Sequence, residues 1–240
     1  HYLEKERQKW KLDKVVLDAG HGGHDPGARG NGLREKEITL DVVKRLGKLI
    51  EARTDIEVIY TRDTDVFVPL WERTKIANEA GGKVFLSIHV NANKNKKASG
   101  FETYLLRPGK TDAAVAVAEM ENAVIKLEKN TDQYDKLSAE QLILATMAQS
   151  SFMQQSETLA DLTQREFDKK LVGQNRGVKQ AGFIVLIGAS MPNVLIELGF
   201  ISNKNDARRL KQASYRQKAA QGIFDALMKY KTRHEKLLSP

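Results

Sequence analysis

The chain has 240 residues, 41% of them hydrophobic and 29% charged, with no cysteine and a formal net charge of +8. That length gives one large domain, or one domain with a sizeable insertion, whose core needs no disulfide or structural metal; the missing cysteines exclude disulfide frameworks and thiolate zinc sites. No segment reaches the apolar length that crosses a bilayer, and the basic balance favours an acidic or polyanionic neighbourhood, but no nucleic-acid-binding motif is present and nucleic acid is not an expected partner.

Residues 1–13 read as an N-terminal extension; the chain begins at His1 without an apolar signal core, so any targeting segment is expected to be missing from view. The run "VVLDAGHGGHDPG", Val15 to Gly27, is a buried strand ending in a glycine loop that carries His21 and His24. "EITLDVVKRLGKLIEAR" places Ile38, Val42, Leu46 and Ile50 on one helical face. The strand "IEVIYTR" and the helix "PLWERTKIANEAGG" follow, the helix entered at Pro69 and stopped at Gly81 and Gly82. "VFLSIHVNA" and "GFETYLL" are further strands. From Thr111 to Leu171 the pattern is helical, with mixed apolar positions such as Leu142, Met147, Phe152 and Leu159, and reads as an insertion on the same domain. "GFIVLI" and "NVLIELGF" complete the strands, "YRQKAAQGIFDALMKYK" is a final amphipathic helix, and 232–240 is a tail. Strands alternating with helices give an α/β layer fold with a largely parallel sheet, whose sites lie beyond the carboxyl ends of the strands.

Those strand ends carry metal-binding residue types. A zinc site without cysteine needs His and Asp/Glu ligands, and a catalytic one keeps a position open. With His1 and His234 near the chain ends, His21, His24 and His89 remain; His21 and His89 each follow or close an apolar strand and converge if the two strands are parallel. A third ligand falls in the first turn of the following helix, as Glu35 or Glu37; spacing does not separate them, and either equally suits the helix N-terminus as an acid favoured by the macrodipole. Glu197 lies inside the apolar strand "VLIELGF" and must be paired, protonated or bound, because an unpaired buried carboxylate is costly. A general base beside the metal is one role for it, and an ion pair with Arg73 or Arg176 is another. Asp18 is read as an acceptor behind a ligand histidine or as a cap on loop amides.

The ordered stretches "VVLDAGHGGHDPGARG", "GLREKEITLDV", "LSIHVNA", "FETYLL" and "MPNVLIELGFISN" resemble the zinc-dependent N-acetylmuramoyl-L-alanine amidases of the amidase-3 family over nearly all of residues 14–230. The resemblance implies a phosphorylase/hydrolase-like α/β fold in which a mixed sheet of about six strands is flanked by helices. It implies one zinc ion per chain on His21, Glu35 and His89, which separates Glu35 from Glu37, and Glu197 as catalytic acid/base. His24 falls at a variable position of the loop motif. The implied reaction is hydrolysis of the amide between the lactyl group of N-acetylmuramic acid and L-alanine in peptidoglycan. Asn91 and Asn93 are candidates for substrate or oxyanion contacts.

Cell-separation members of that family carry a helical insertion covering the active site until an activator displaces it. The resemblance therefore implies that 111–171 is regulatory within a catalytic domain spanning 14–231. An acid on "VAEMENAVIKLE" would fill the open metal position: Glu119, Glu121 or Glu128, with Glu121 first. The expected partners are peptidoglycan and a protein activator, the expected state is a monomer, and the expected location is the periplasm or cell envelope. A zinc endopeptidase cutting another wall bond and a wall-binding module without turnover are the alternatives.

Overall fold

The computed structural model describes residues 11–107, 109–129, 131, 134 and 151–237. In chain order the elements are β1 (Lys14–Ala19), β2 (Arg29–Gly30), β3 (Leu33–Arg34), α1 (Glu35–Arg53), β4 (Glu57–Tyr60), α2 (Leu70–Glu79), β5 (Val84–Asn91), β6 (Phe101–Leu106), α3 (Asp112–Asn122), α4 (Met153–Lys170), β7 (Asn175–Ala181), β8 (Asn193–Phe200), α5 (Lys204–Lys211) and α6 (Ala213–Leu237). Six strands form one sheet in the order β4-β1-β5-β8-β6-β7, and β2 and β3 form a separate hairpin. The first four are parallel neighbours, β6 runs antiparallel to β8, and β7 runs parallel to β6.

Side-chain alternation divides the sheet into two unlike faces. Val15, Leu17, Leu86, Ile88, Val194 and Ile196 point to one face, where they pack with Leu46 and Ile50 of α1, Phe167 of α4 and Ile223 and Leu227 of α6. Each such fully buried side chain contributes about 1.5–3 kcal/mol. The opposite face carries Val16, Phe85, Leu195 and Tyr104, covered by Leu70 and Ala77 of α2 and by Ala114, Val117 and Ala118 of α3. Toward the carboxyl ends of the strands this second face becomes polar, through Asp18, Ser87, His89, Asn91, Glu102 and Glu197, all buried. This buried polar region lies on the face that α3 covers.

One expected strand is displaced. "GFIVLI" forms no strand: Ile184–Leu186 is a 3-10 turn, and the sixth strand is the preceding "NRGVKQA". β7 is an edge strand with a half-exposed, polar side-chain pattern, while Phe183, Val185 and Leu186 bury their apolar groups in the second cluster without joining a ladder.

The helical stretch 111–171 has two unlike halves. α4 is scaffold: Leu159, Ala160 and Phe167 lie in the main core, Phe167 meets Phe101 edge-on with ring centroids 5.5 Å apart, and Gln164 Nε2 donates to Thr103 Oγ1 on β6 at 2.8 Å. Among the described residues of this stretch, α3 and the 3-10 turn Ala123–Leu127 are the parts that lie over the polar strand ends. Leu142 and Met147 lie outside the described residues.

Candidate metal centre

Parallel pairing of β1 with β5 brings Asp18 beside Ser87 and Ala19 beside Ile88, so the chain leaving β1 reaches His21 next to His89. The loop must turn sharply, and His21 itself adopts φ +62°, a left-handed conformation that non-glycine residues take at a cost of about 1 kcal/mol or more. The His89 ring lies against Gly20, where a Cβ would come within 2.5 Å of ring Cε1. Gly27, at φ +64°, passes so close that a Cβ would stand 2.5 Å from His21 Cδ2 and 2.7 Å from Glu35 Oε2. Glu35 opens α1 and is held from both sides, with Ala28 N–H donating to Oε2 at 2.8 Å and Val90 N–H to Oε1 at 2.7 Å. Glu37 is turned to solvent and pairs with Arg34.

His21, Glu35, His89 and Glu121 form one buried cluster whose ligand atoms all lie within 4.8 Å of one another. His21 Nε2 is 3.1 Å from Glu35 Oε2 and 3.0 Å from Glu121 Oε2; His89 Nδ1 is 3.1 Å from Glu35 Oε1 and 2.9 Å from Glu121 Oε2. A tetrahedral zinc ion with bonds of 2.0–2.1 Å needs ligand atoms roughly 3.3 Å apart, so these spacings fit. His21 Nε2 and Glu121 Oε2 approach closely yet neither has a hydrogen-bond partner, as atoms aimed at a common centre do. The electrostatics agree. Burial alone would lower both imidazoles, but the flanking carboxylates outweigh it, raising His21 well above its usual range and His89 to about 9. Burial would raise Glu35 and Glu121, but the imidazoles draw both below the ordinary carboxylate range. Two carboxylates and two imidazoles shut from water make a centre that demands positive charge.

Glu197 adjoins this centre as the register partner of His89 on β8, and Glu102 faces it across β6. Both Glu197 oxygens are buried and neither has a hydrogen-bond partner among the described residues. Arg73 pairs with Asp18, and Arg176 with Glu102, so neither neutralises Glu197. Burial, reinforced by Glu121, Glu35 and Glu102, drives the Glu197 carboxyl far above its ordinary value. Glu102 goes the other way: burial raises it, but Lys179 and Arg176 overcome that and keep it low. The two adjacent carboxyls are thus pushed in opposite directions, the usual device for separating acid–base roles.

The family profile of N-acetylmuramoyl-L-alanine amidases, amidase-3, matches residues 15–229. The chain belongs to this amidase family. The amidase is 34% identical over 235 residues to AmiA of Escherichia coli (strain K12), covering 96% of this chain and 80% of that protein. It is 36% identical over 218 residues to the amidase LytC of Bacillus subtilis (strain 168), covering 91% of this chain but only 35% of LytC. Among solved structures, the catalytic domain of the amidase CwlV from Bacillus (Paenibacillus) polymyxa matches with a TM-score of 0.69 at 26% identity, covering 91% of this chain and 98% of that one. The CwlD amidase of Clostridioides difficile, solved in complex with the GerS lipoprotein, matches with a TM-score of 0.68 at 26% identity, covering 92% and 99%. The mixed six-stranded sheet flanked by helices is the amidase catalytic fold, and hydrolysis of the muramoyl–alanine amide in peptidoglycan goes with the family.

Five residues singled out in the sequence lie outside the cluster in this amidase. Asp18 accepts from Thr61 Oγ1 at 2.6 Å, Ser87 Oγ at 2.6 Å and Arg73 Nη1 at 2.8 Å, and neither backs a histidine nor caps loop amides. Its partner Arg73 donates to the carbonyls of Ala19 and His21, so the buried pair fixes the loop backbone instead. Asn91 is fully buried and donates through Nδ2 to Glu102 Oε1 at 2.8 Å, which leaves it behind Glu197 rather than on a substrate surface. Glu128 points away from the cluster and accepts the Leu70 N–H at the start of α2 at 2.9 Å. Glu119 is exposed, and His24 stacks on Phe67 at the surface, ring centroids 4.1 Å apart. One functional residue was missed: Asp25, whose Oδ2 lies 2.7 Å from His21 Nδ1 and orients that ring. An acid four residues after the histidine, in the same glycine loop, was the available signal.

Proposed function

We propose that the chain is a zinc-dependent amidase of the periplasm or cell envelope that is held shut by its own Glu121. His21, Glu35 and His89 would hold the metal, and Glu121 would fill the position that the substrate carbonyl and water need. The observation that carries this reading is the single Glu121 oxygen lying 3.0 Å from His21 Nε2 and 2.9 Å from His89 Nδ1. Bound zinc supplies Lewis acidity, which polarises the scissile carbonyl and acidifies water. Glu197 accepts the proton of the attacking water and returns it to the alanine nitrogen as the C–N bond breaks. Its raised proton affinity suits the second half of that task. Asp25 keeps the His21 ring in the tautomer that offers Nε2 to the metal.

Regulation belongs to α3 and the 3-10 turn rather than to all of 111–171, because α4 is built into the main core. An activator would lift that short unit and withdraw Glu121. The existence of a lipoprotein complex for the related CwlD amidase supports a protein partner of this kind. All four cluster residues come from one chain, so the proposed centre needs no second copy to complete it. No helix among the described residues is long and apolar enough to cross a membrane.

The test is release of stem peptides from purified peptidoglycan, with and without a zinc chelator, by the full chain carrying Glu121→Ala and by the same chain also carrying Glu197→Gln. Release that needs zinc and stops with Glu197→Gln is expected. Release that persists in the Glu197→Gln chain would refute the proton-transfer role.

A further inference from the structure

Six exposed cations without ion pairs among the described residues stand on one rim. Three loops leave the strand ends at the metal centre: the β2–β3 hairpin between Ala28 and Glu35, the loop after His89 on β5, and the turn into α5 after Glu197 on β8. They are tied into one surface. Asn31 Nδ2 donates to the Ile201 carbonyl at 2.8 Å, Asn93 N–H to Ser202 Oγ at 3.0 Å, and Asn203 Nδ2 to the Lys96 carbonyl at 2.8 Å. Gly30 packs so closely on Ile201 that a Cβ would come within 2.6 Å of its carbonyl oxygen.

These loops expose Arg29, Lys94, Lys96, Lys97, Lys204 and Arg208. No ion pair is found for any of them among the described residues, while Arg34 pairs with Glu37 and Arg209 with the buried Asp206. The loops carry no exposed acid of their own from Arg29 to Arg34, from Ala92 to Ser99 or from Ser202 to Arg208. Elsewhere some surface cations are answered, Lys229 and Lys169 by Glu166 and Arg216 and Arg45 by Asp41, while ones unpaired among the described residues, such as Lys218, Arg233 and Lys236, stand on α6, which packs on the opposite face of the sheet from the metal centre. Like charges gathered without counter-charge repel one another, and an anion relieves that repulsion.

We infer that this rim is a substrate-capture surface that binds the free carboxylates of peptidoglycan stem peptides and delivers the polymer to the adjoining centre. The inference rests on peptidoglycan as the substrate and adds which part of it is recognised, and where. Carboxylates are favoured over other anions because all three loops adjoin the elements that carry Glu35, His89 and Glu197. A stem peptide whose first amide lies at the metal centre therefore extends across this surface. The rim lies outside the groups that Glu121 covers, so capture does not require the centre to be open.

The experiment is co-sedimentation of the full chain carrying Glu197→Gln with purified peptidoglycan across a range of salt concentrations. Adding Lys94→Gln, Lys96→Gln and Lys97→Gln is expected to weaken binding about tenfold and to flatten its salt dependence, since three exposed charges each supply a fraction of a decade to one in affinity. Lys204→Gln with Arg208→Gln, on a different loop, is expected to act in the same direction. Peptidoglycan whose carboxyls have been converted to carboxamides is expected to bind the parent as weakly as the untreated polymer binds the triple variant. Lys218→Gln, Arg233→Gln and Lys236→Gln remove the same charge from the exposed face of α6 and are expected to leave binding near the parent's. Equal binding by the rim variants, full binding to the amidated polymer, or an equal loss from the α6 changes would each overturn the inference. Failure of the zinc reading would look different, as lost stem-peptide release with sedimentation intact.

Discussion

Replacing Glu128 should open the enzyme without touching a metal ligand. α2 begins at Pro69 with no side-chain cap of its own. Glu128, at the end of the covering segment, supplies one: its Oε1 accepts the Leu70 N–H at 2.9 Å, and Tyr134 OH donates to the same carboxylate at 2.7 Å and 2.8 Å. The arrangement joins the covering segment to a fixed helix and is lost when that segment lifts. A capping carboxylate at a helix N-terminus is worth about 1–2 kcal/mol. Because α2 regains water at its N-terminus when the segment is away, the loss on Glu128→Ala falls on the closed state alone. The closed-to-open ratio should drop roughly 5- to 30-fold, and basal stem-peptide release should rise by the same factor while the open form is the minor one. The assay is release from dye-labelled peptidoglycan without activator, beside the zinc content of each protein and its melting temperature. Glu119→Ala, at an exposed position on α3, should change nothing. Unchanged basal release from a Glu128→Ala protein that melts lower, with zinc retained, would show that the cap stabilises the fold but does not hold the gate.

Gly27→Ala should weaken metal binding, because the new methyl would strike His21 and Glu35 at 2.5–2.7 Å and the residue must keep φ +64°; competition against a chromophoric chelator reads the loss, and parental affinity would refute the close approach. Acid should unfold the protein partly through Asp18. Burial raises its carboxyl, but Arg73, Ser87 and Thr61 outweigh that and hold it below the ordinary value. Its contribution is therefore present above the unfolded pKa of about 3.9 and is lost as pH falls through the lower folded value. Asp18→Asn leaves Arg73 buried without its counter-ion and should cost about 3–5 kcal/mol at neutral pH, with a shallower decline in stability on acidification; thermal melts across pH read both, and a parental pH profile would contradict the assignment.

Much of this site was legible in the sequence because its residues violate local rules. His21, His89 and Glu197 stand at or in apolar strands, where a polar side chain must have a partner, and the parallel order of β1, β5 and β8 brings them together. Glu35 could not be told from Glu37 by pattern, since both lie in the first turn of α1; what separates them is the backbone of Ala28 and Val90 reaching in from other elements. Arg73 was invisible as a loop-holding group because a single arginine on an amphipathic helix gives no sign of being buried against carbonyls 52 and 54 residues away in sequence. The edge strand β7 was missed for a physical reason too: with one edge and much of its surface in solvent, it carries no apolar run, whereas the neighbouring "GFIVLI" is apolar because it plugs the second core. α4 looked like part of an insertion because its buried positions, Ser156, Ala160, Thr163 and Gln164 among them, are small or polar where the helix lies on the sheet and on α6.

The central claim is that Glu121 is a displaceable ligand over an otherwise complete amidase centre. Its most direct test compares the parent chain with Glu121→Ala for zinc content and for stem-peptide release from purified peptidoglycan, both without activator. One zinc per chain is expected in both proteins, with release that rises sharply only in Glu121→Ala. Zinc retained by Glu121→Ala with release no faster than the parent's would contradict the claim.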